Sequence, residues 1–234
     1  MDFDFTPYFE KYERLVAAAD AAFERVKQAH ADCVKCVEGC SDCCHALFDL
    51  TLIEALYINH RFKQKFQGSG EAQLTEKANR ADRQLAKIKR RAHQDFLAGK
   101  PEAEILADLA RERVRCPLLN GQDLCDLYND RPLTCRFYGI PTAIGGKGHT
   151  CGQSGFKPGE QYPTVNLDAI HSRLQELSAE LVRDLQSRFI KLADILVPLS
   201  TVLITSYDEI YLGLKEAPPE EPPPKRRRSR RHPS

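Results

Sequence analysis

Nine cysteines stand in a chain of 234 residues, and five of them fall within twelve positions as Cys33-x2-Cys36-x3-Cys40-x2-Cys43-Cys44. Four more follow with wider gaps, Cys116-x8-Cys125-x9-Cys135-x15-Cys151. Spacings of two and three residues bring thiolates about one turn apart, close enough to meet on one ion or cluster. Unligated cysteines are reactive and usually occur singly, so a crowd of this kind points to metal or cluster ligation rather than packing. The vicinal pair Cys43-Cys44 narrows the reading. Neighbouring side chains diverge in helix and strand alike, which predicts that the two thiolates serve different metal atoms, in one multi-iron cluster or at two nearby sites. Eight thiolates fill two four-thiolate sites, and Cys33 is the natural one left over, at the end of the preceding helix. His45 and His149 sit beside cysteines and could replace a thiolate, although a local hydrogen bond is the first reading of each.

Cys36-x3-Cys40-x2-Cys43 also has the spacing of the radical S-adenosylmethionine triad. Here Asp42 occupies the place before the last cysteine where that family usually has an aromatic residue, and no barrel strands follow. The motif therefore lacks its structural context.

The elements that must position these residues are mostly helical. Tyr8, Tyr12, Leu15, Val16, Ala19, Phe23 and Val26 recur at three- and four-residue steps, one face of a helix that delivers the chain to Cys33. Thr51 with Glu54 three residues on forms a capping-box pattern, so a helix is predicted from Thr51 to about Phe66, broken by Gln67-Gly68-Ser69-Gly70. Leu74 to Phe96 is a strongly charged helical stretch ended by Gly99 and Pro101, and Glu102 to Val114 a shorter amphipathic one. Cys116 to Pro163 shows neither helical period nor clean alternation and reads as mostly loop. Leu167, Ile170, Leu174, Leu177, Leu181, Leu185, Phe189, Leu192 and Leu196 then make a long apolar stripe stopped by Pro198, a core helix in preference to a dimer seam.

These readings give a mainly α protein whose helices surround an irregular, cysteine-rich core stapled by a metal or cluster. Residues 1–215 form a single cysteine-cluster domain with a helical insertion at about 60–112, and residues 216–234 a disordered Pro/Arg-rich tail. Helices do not alternate with strands, which excludes a Rossmann or barrel scaffold. No Ser-His-Asp set, phosphate-binding loop or His-Glu zinc-protease motif is evident, so hydrolase and kinase readings have no support.

Composition closes off other classes. Hydrophobic residues are 42% and charged residues 29%, and no run of some 18 apolar residues offers a membrane span. The start, MDFDFTPYFEKYERLV, carries acids where a secretory signal carries Lys or Arg, so a cytoplasmic location is expected. Length, odd cysteine count and compartment all argue against a disulfide framework. The net charge of +1 conceals a split. Residues 217–234 hold six Lys or Arg against two Glu, a charge of +4, which leaves −3 for residues 1–216. A basic run of that kind more often aids solubility than forms a nucleic-acid site.

The quoted residues also carry a family resemblance. CVEGCSDCC followed by LTLIE resembles the cysteine cluster and downstream helix start of the CxxCxxCC, or YkgJ-type, family, described as chelating zinc or iron. CPLLNGQDLCDLYNDRPLTCRFYG is similar to that family's second block. The sequence departs from the family name in separating Cys36 from Cys40 by three residues rather than two, and in adding Cys33. The resemblance implies Cys36, Cys40, Cys43, Cys44, Cys116, Cys125, Cys135 and Cys151 as metal ligands. Beside Cys135, Pro132 fixes the turn, while Arg131 and Arg136 can offset the charge of the thiolates. Tyr128 and Tyr138 read as packing residues.

Thiolates suit both zinc and iron. The dispersed second group lacks paired zinc knuckles and the vicinal pair fits a multi-iron site, so the expected cofactor is an iron-sulfur cluster in preference to zinc, with a redox or cluster-assisted role and an unknown protein or redox partner. Two alternatives stand beside it. One is a structural zinc protein acting as an interaction module; the other is an enzyme related to the flagellin lysine N-methylases that the resemblance includes, for which no glycine-rich S-adenosylmethionine loop is seen.

Overall fold

The protein is represented by a computed structural model that describes residues 3–215. The Pro/Arg-rich segment 216–234 lies outside the described residues. Seven helices are described: α1 (Thr6–Ala29), α2 (Leu52–Lys65), α3 (Gly68–Leu97), α4 (Glu102–Arg111), α5 (Leu133–Phe137), α6 (Leu167–Asp184) and α7 (Leu199–Ile204). The strands are short: β1 (Asp49–Thr51), β2 (Thr142–Ile144), β3 (Lys147–His149), β4 (Val165–Asn166) and β5 (Leu196–Pro198). The mainly α reading therefore holds, and no described helix is long and apolar enough to cross a membrane.

Helix α2 is the hub. Leu52 through Asn59 are all buried, the polar Glu54 and Asn59 among them, because α1, α6 and α7 enclose this part of the helix. Its polar groups are accounted for by neighbours rather than water. Ser178 of α6 accepts from the Ile53 amide at 3.2 Å and donates to the Leu174 carbonyl at 2.8 Å, and Asn59 donates to the carbonyls of Val202 (2.7 Å) and Thr205 (3.1 Å). The bonds to the Ile53 amide and to the Val202 and Thr205 carbonyls satisfy helix-terminal groups that would otherwise be buried alone. At the same end β1 pairs antiparallel with β5, Leu50 opposite Val197. Helix α3 runs alongside α7 and meets α4, burying only Leu74, Ala78 and Ala81.

Several local expectations are corrected. Gln67–Gly70 does not separate two helices by a loop, because α3 begins at Gly68 itself and the break is confined to Phe66 and Gln67. The apolar stripe from Leu167 does not continue as one helix to Leu196. Helix α6 closes at Leu185 with Gln186 in the left-handed region (φ +51°), the amide of Ser187 bonding to the Val182 carbonyl at 3.3 Å and that of Gln186 to the Arg183 carbonyl at 3.0 Å. This is a Schellman closure made without glycine. The stripe still serves the core, with Leu174, Leu177, Leu181, Leu185 and Leu192 buried.

The stretch from Cys116 to Pro163 is more ordered than a loop reading implies. It contains α5 and a hairpin in which β2 pairs with β3, turned by Gly145 and Gly146 at φ +55° and +72°. Two successive positive φ values are what a two-residue hairpin turn requires and what glycine supplies without strain. β4 adds a parallel strand against β2.

Candidate metal centre

The two cysteine blocks meet backbone to backbone. The Cys116 amide donates to the Cys44 carbonyl at 2.7 Å and the Val114 amide to the His45 carbonyl at 3.1 Å. Cys43 and Cys44 lie in a 3-10 turn, Asp42–His45, in which their sulfurs are 4.0 Å apart. The expectation that these neighbours diverge is thereby corrected, since the tight 3-10 turn folds both thiols toward one side. Cys125 is set by a small loop closed by Asn120, whose side chain accepts from the amides of Gln122 (2.9 Å) and Leu124 (3.0 Å). Cys135 is carried by α5, which Pro132 enters with extended geometry. Proline is favoured there because its fixed φ and missing donor cost nothing at a helix start.

Cys36, Cys40, Cys43, Cys44, Cys116, Cys125 and Cys135 line one cleft of about 1050 Å³, with Phe23, Phe48 and Leu118 among its apolar wall. Cys151 joins from the side, its thiol donating to Asp42 Oδ2 at 3.5 Å. Cys33 stays apart, its carbonyl accepting from the Gly155 amide at 2.8 Å. His45 bonds through Nδ1 to the Ser41 carbonyl at 3.0 Å, the local bond expected of it, and His149 is exposed on β3. All nine cysteines are free thiols.

The thiols approach one another in two sets. Cys36 has Cys40, then Cys151 and Cys43, as its thiol neighbours. Cys44 pairs with Cys43 at 4.0 Å and has Cys116 and Cys125 as further thiol neighbours, and Cys135 neighbours Cys43, Cys44 and Cys125. Among the described residues, no three His, Cys, Asp or Glu side chains converge on a single ion position; the approach is pairwise. The pairwise spacing nonetheless fits the group. A tetrahedral ion with metal–sulfur bonds of about 2.3 Å separates its sulfurs by about 3.8 Å, near the 4.0 Å of the Cys43–Cys44 pair. Soft thiols at this density are the donors that zinc, iron and iron-sulfur centres use.

Electrostatics agree with a site made to receive a cation. Burial pushes the Cys36 thiol up to about 11. The neighbouring Cys116 thiol is the chief cause holding Cys44 at about 12, and the bond to Cys44, then burial, raises Cys43 well above the thiol range. Burial likewise raises Cys125, Cys135 and Cys151. Without a positive charge these six thiols keep their protons at neutral pH, and a metal must displace them.

Arg131 is the cation that works against this rise, acting on Cys43, Cys125 and Cys135. It is fixed by stacking 4.0 Å over the Tyr128 ring and donating to the Tyr128 carbonyl at 3.1 Å. Arg136 does not share that task. The residue is 4% exposed, and its guanidinium is taken up by Asp20 (2.9 and 2.7 Å) and by the carbonyls of Arg131 (3.0 Å) and Asn129, which ties α5 to α1.

Five residues that sequence reasoning passed over, or read only as helix, packing or motif-context signals, shape the site. Glu54 does not complete a capping box: Thr51 makes no side-chain cap on the helix, and its Oγ1 donates instead to the Glu54 carboxylate at 3.5 Å. The same buried carboxylate accepts from Tyr12 at 3.3 Å and from the Leu133 amide at 3.1 Å, so it holds the start of α5. Gly139 (φ +101°) passes so close to Cys36 that a Cβ there would stand 2.1 Å from the sulfur. Tyr138 donates to Asp42 at 2.9 Å, and Arg113 pairs with the same carboxylate. A polar residue wedged between clustered cysteines was the signal available for Asp42.

Comparison with known families returns a match over residues 35–152 to CxxCxxCC, described as a "Putative zinc- or iron-chelating domain". The matched span is just over half of the chain, includes all eight cysteines from Cys36 to Cys151, and begins after Cys33. No curated protein and no solved structure matches.

Proposed function

The chain belongs to the CxxCxxCC family of zinc- or iron-chelating domains, and from that premise we propose that it holds iron as an iron-sulfur cluster through Cys36, Cys40, Cys43, Cys44, Cys116, Cys125, Cys135 and Cys151, in a redox role with a protein partner in the cytoplasm. The observation that carries this reading is that seven of those eight thiols line one cleft. A single tetrahedral ion takes four thiolates, so a wall of seven calls for a centre of more than one metal atom. Such a cluster, when bound, supplies reversible electron transfer. The chain's own residues do the rest: the thiols hold the metal, Arg131 offsets part of their charge, and Tyr128, 60% exposed at the rim, keeps Arg131 in place.

A second reading, structural zinc, is favoured by the 4.0 Å Cys43–Cys44 separation, which suits two ligands of one ion. Iron, acid-labile sulfide and zinc per chain, measured with the visible spectrum after purification without oxygen, decide between them. Iron and sulfide in near-equal amounts, lost in Cys43→Ser and Cys135→Ser and kept in Cys33→Ser, are expected. A colourless protein with stoichiometric zinc would overturn the cluster.

A further inference from the structure

We propose that the outward face of α3 docks an acidic one-electron carrier protein, which reduces the metal centre across the wall at Cys116. The inference rests on the cluster reading above and names the kind of partner that reading calls for.

Positive charge is concentrated on α3. From Lys77 to Arg91 seven Lys or Arg stand against Asp82 alone, a charge of +6, which leaves −9 for the rest of residues 1–216. Asp82 is engaged elsewhere, accepting from the Ser200 and Thr201 hydroxyls of α7. Arg80, Lys89 and Arg91 are paired with Glu76, Asp49 and Glu112. Lys77, Arg83, Lys87 and Arg90 are exposed, and among the described residues their side chains make no ion pair or hydrogen bond. Arg83, Lys87, Arg90 and the exposed Leu97 recur at steps of four, three and seven residues, so they form one stripe about 21 Å long on the helix surface.

The same helix walls the thiol cleft. Ala81 and Leu85 line that cleft, while Lys77, Arg80 and Gln84 line a second recess of about 410 Å³ together with Arg115, Cys116 and Pro117. Among the described residues no Asp or Glu lines this recess. Cys116 therefore borders both spaces, the thiol cleft and the basic recess. A carboxylate-rich protein surface meets complementary charge here and, at the exposed Phe96 and Leu97, apolar area, the mixture on which protein interfaces are built. Nucleic acid fits less well, because Lys77 to Arg91 offers no aromatic side chain for bases to stack on and the negative remainder of the body repels a polyanion that extends past the helix. The step is a single electron transfer: the reduced carrier is oxidised as the oxidised centre is reduced, with no bond made or broken.

The test titrates the full chain, purified without oxygen, with a plant-type ferredoxin as the acidic carrier at about 20 mM and about 300 mM salt, beside the triple variant R83E/K87E/R90E and, as a control on the exposed strand β3, K147E. Binding to the wild type should weaken about tenfold as salt rises and about tenfold or more in the triple variant, while K147E binds as the wild type does. Carbodiimide should cross-link carrier carboxylates to Lys77 or Lys87. The reduced carrier should reduce the centre about tenfold more slowly in the triple variant, whereas dithionite reduces both at the same rate. Equal metal content and melting temperature in all three chains show that the variants fold. Carrier binding that is absent, or indifferent to the triple reversal, overturns the docking face and leaves the cluster reading standing; so does a short DNA duplex held more tightly than the carrier by the same residues. Zinc in place of iron overturns the cluster reading and the electron transfer together, whatever the carrier binds.

Discussion

Cys43 and Cys44 illustrate how little a residue's type says about where its side chain goes. Both are soft donors by chemistry, yet it is the 3-10 turn that brings their sulfurs to 4.0 Å. The two arginines beside Cys135 separate in the same way. Arg131 faces the thiols, so Arg131→Ala should weaken metal binding about 10–100-fold in a chelator competition while leaving the melting temperature of the metal-free protein nearly unchanged. Arg136→Ala should do the reverse in the metal-free chain, costing about 3 kcal/mol in denaturant unfolding because it strands the Arg131 and Asn129 carbonyls and Asp20. Glu54, 3% exposed, is pushed up to about 7 by burial, which outweighs the bonds from Leu133, Tyr12 and Thr51. A carboxyl raised in the folded state holds its proton there after the unfolded chain has released it. Its stabilising share is full below about 4.5 and is lost as pH climbs through about 7, at about 1.4 kcal/mol per pH unit within that window. Glu54→Gln does not titrate, so between pH 5 and 8 its melting temperature should fall less than that of the wild type; equal falls would count against the buried carboxyl as the cause.

At the level of elements, the site depends on how closely α5 and the turn after it approach the first cysteine block. Glu54 anchors the first amide of α5 and Arg136 ties the helix to Asp20 of α1. Gly139 then lets the chain pass over Cys36 where no side chain fits. Gly139→Ala combines a strained φ with a clash against the sulfur, so it should destabilise the fold by about 1–3 kcal/mol and lower metal content through displacement of Cys36. Normal stability with full metal content in this variant would show that the turn has room the structure does not give it. Helix α6 offers a contrasting case. Its apolar stripe runs past its end because Leu192 remains a core residue in a following 3-10 turn, and a pattern of apolar spacing does not register that the backbone has changed course.

For the molecule as a whole, stability is unevenly distributed. The helices around α2 bury a continuous apolar core, which the segment from Cys116 to Tyr162 joins through Leu118, Leu127, Leu133, Phe137, Ile140 and Phe156, but that segment has only short elements and holds four of the cysteines. Metal should therefore stabilise the second region far more than the first, since ligand binding to the folded state adds stability by mass action. Removing the metal with a chelator should open proteolytic cleavage between Cys116 and Tyr162 while α2, α6 and α7 resist; uniform protection would argue that the fold is complete without metal. The sequence by itself determined the helical class, the run of α1 and α2, the cysteines as candidate donors and the family they carry, because apolar period, caps and ligand spacing are local properties of the chain. The hairpin at Gly145–Gly146 and the end of α6 at Gln186 were less legible, since one rests on three-residue strands and the other on a left-handed residue that is not glycine. Only the tertiary structure decided that seven thiols share one cleft, that Arg131 and not Arg136 faces them, and that Asp42, Tyr138, Gly139 and Glu54 belong to the site. Those roles arise from contacts between residues up to about a hundred positions apart, such as Cys36 with Tyr138 and Asp42 with Cys151, and a distance of that kind leaves no period or spacing in the sequence to read.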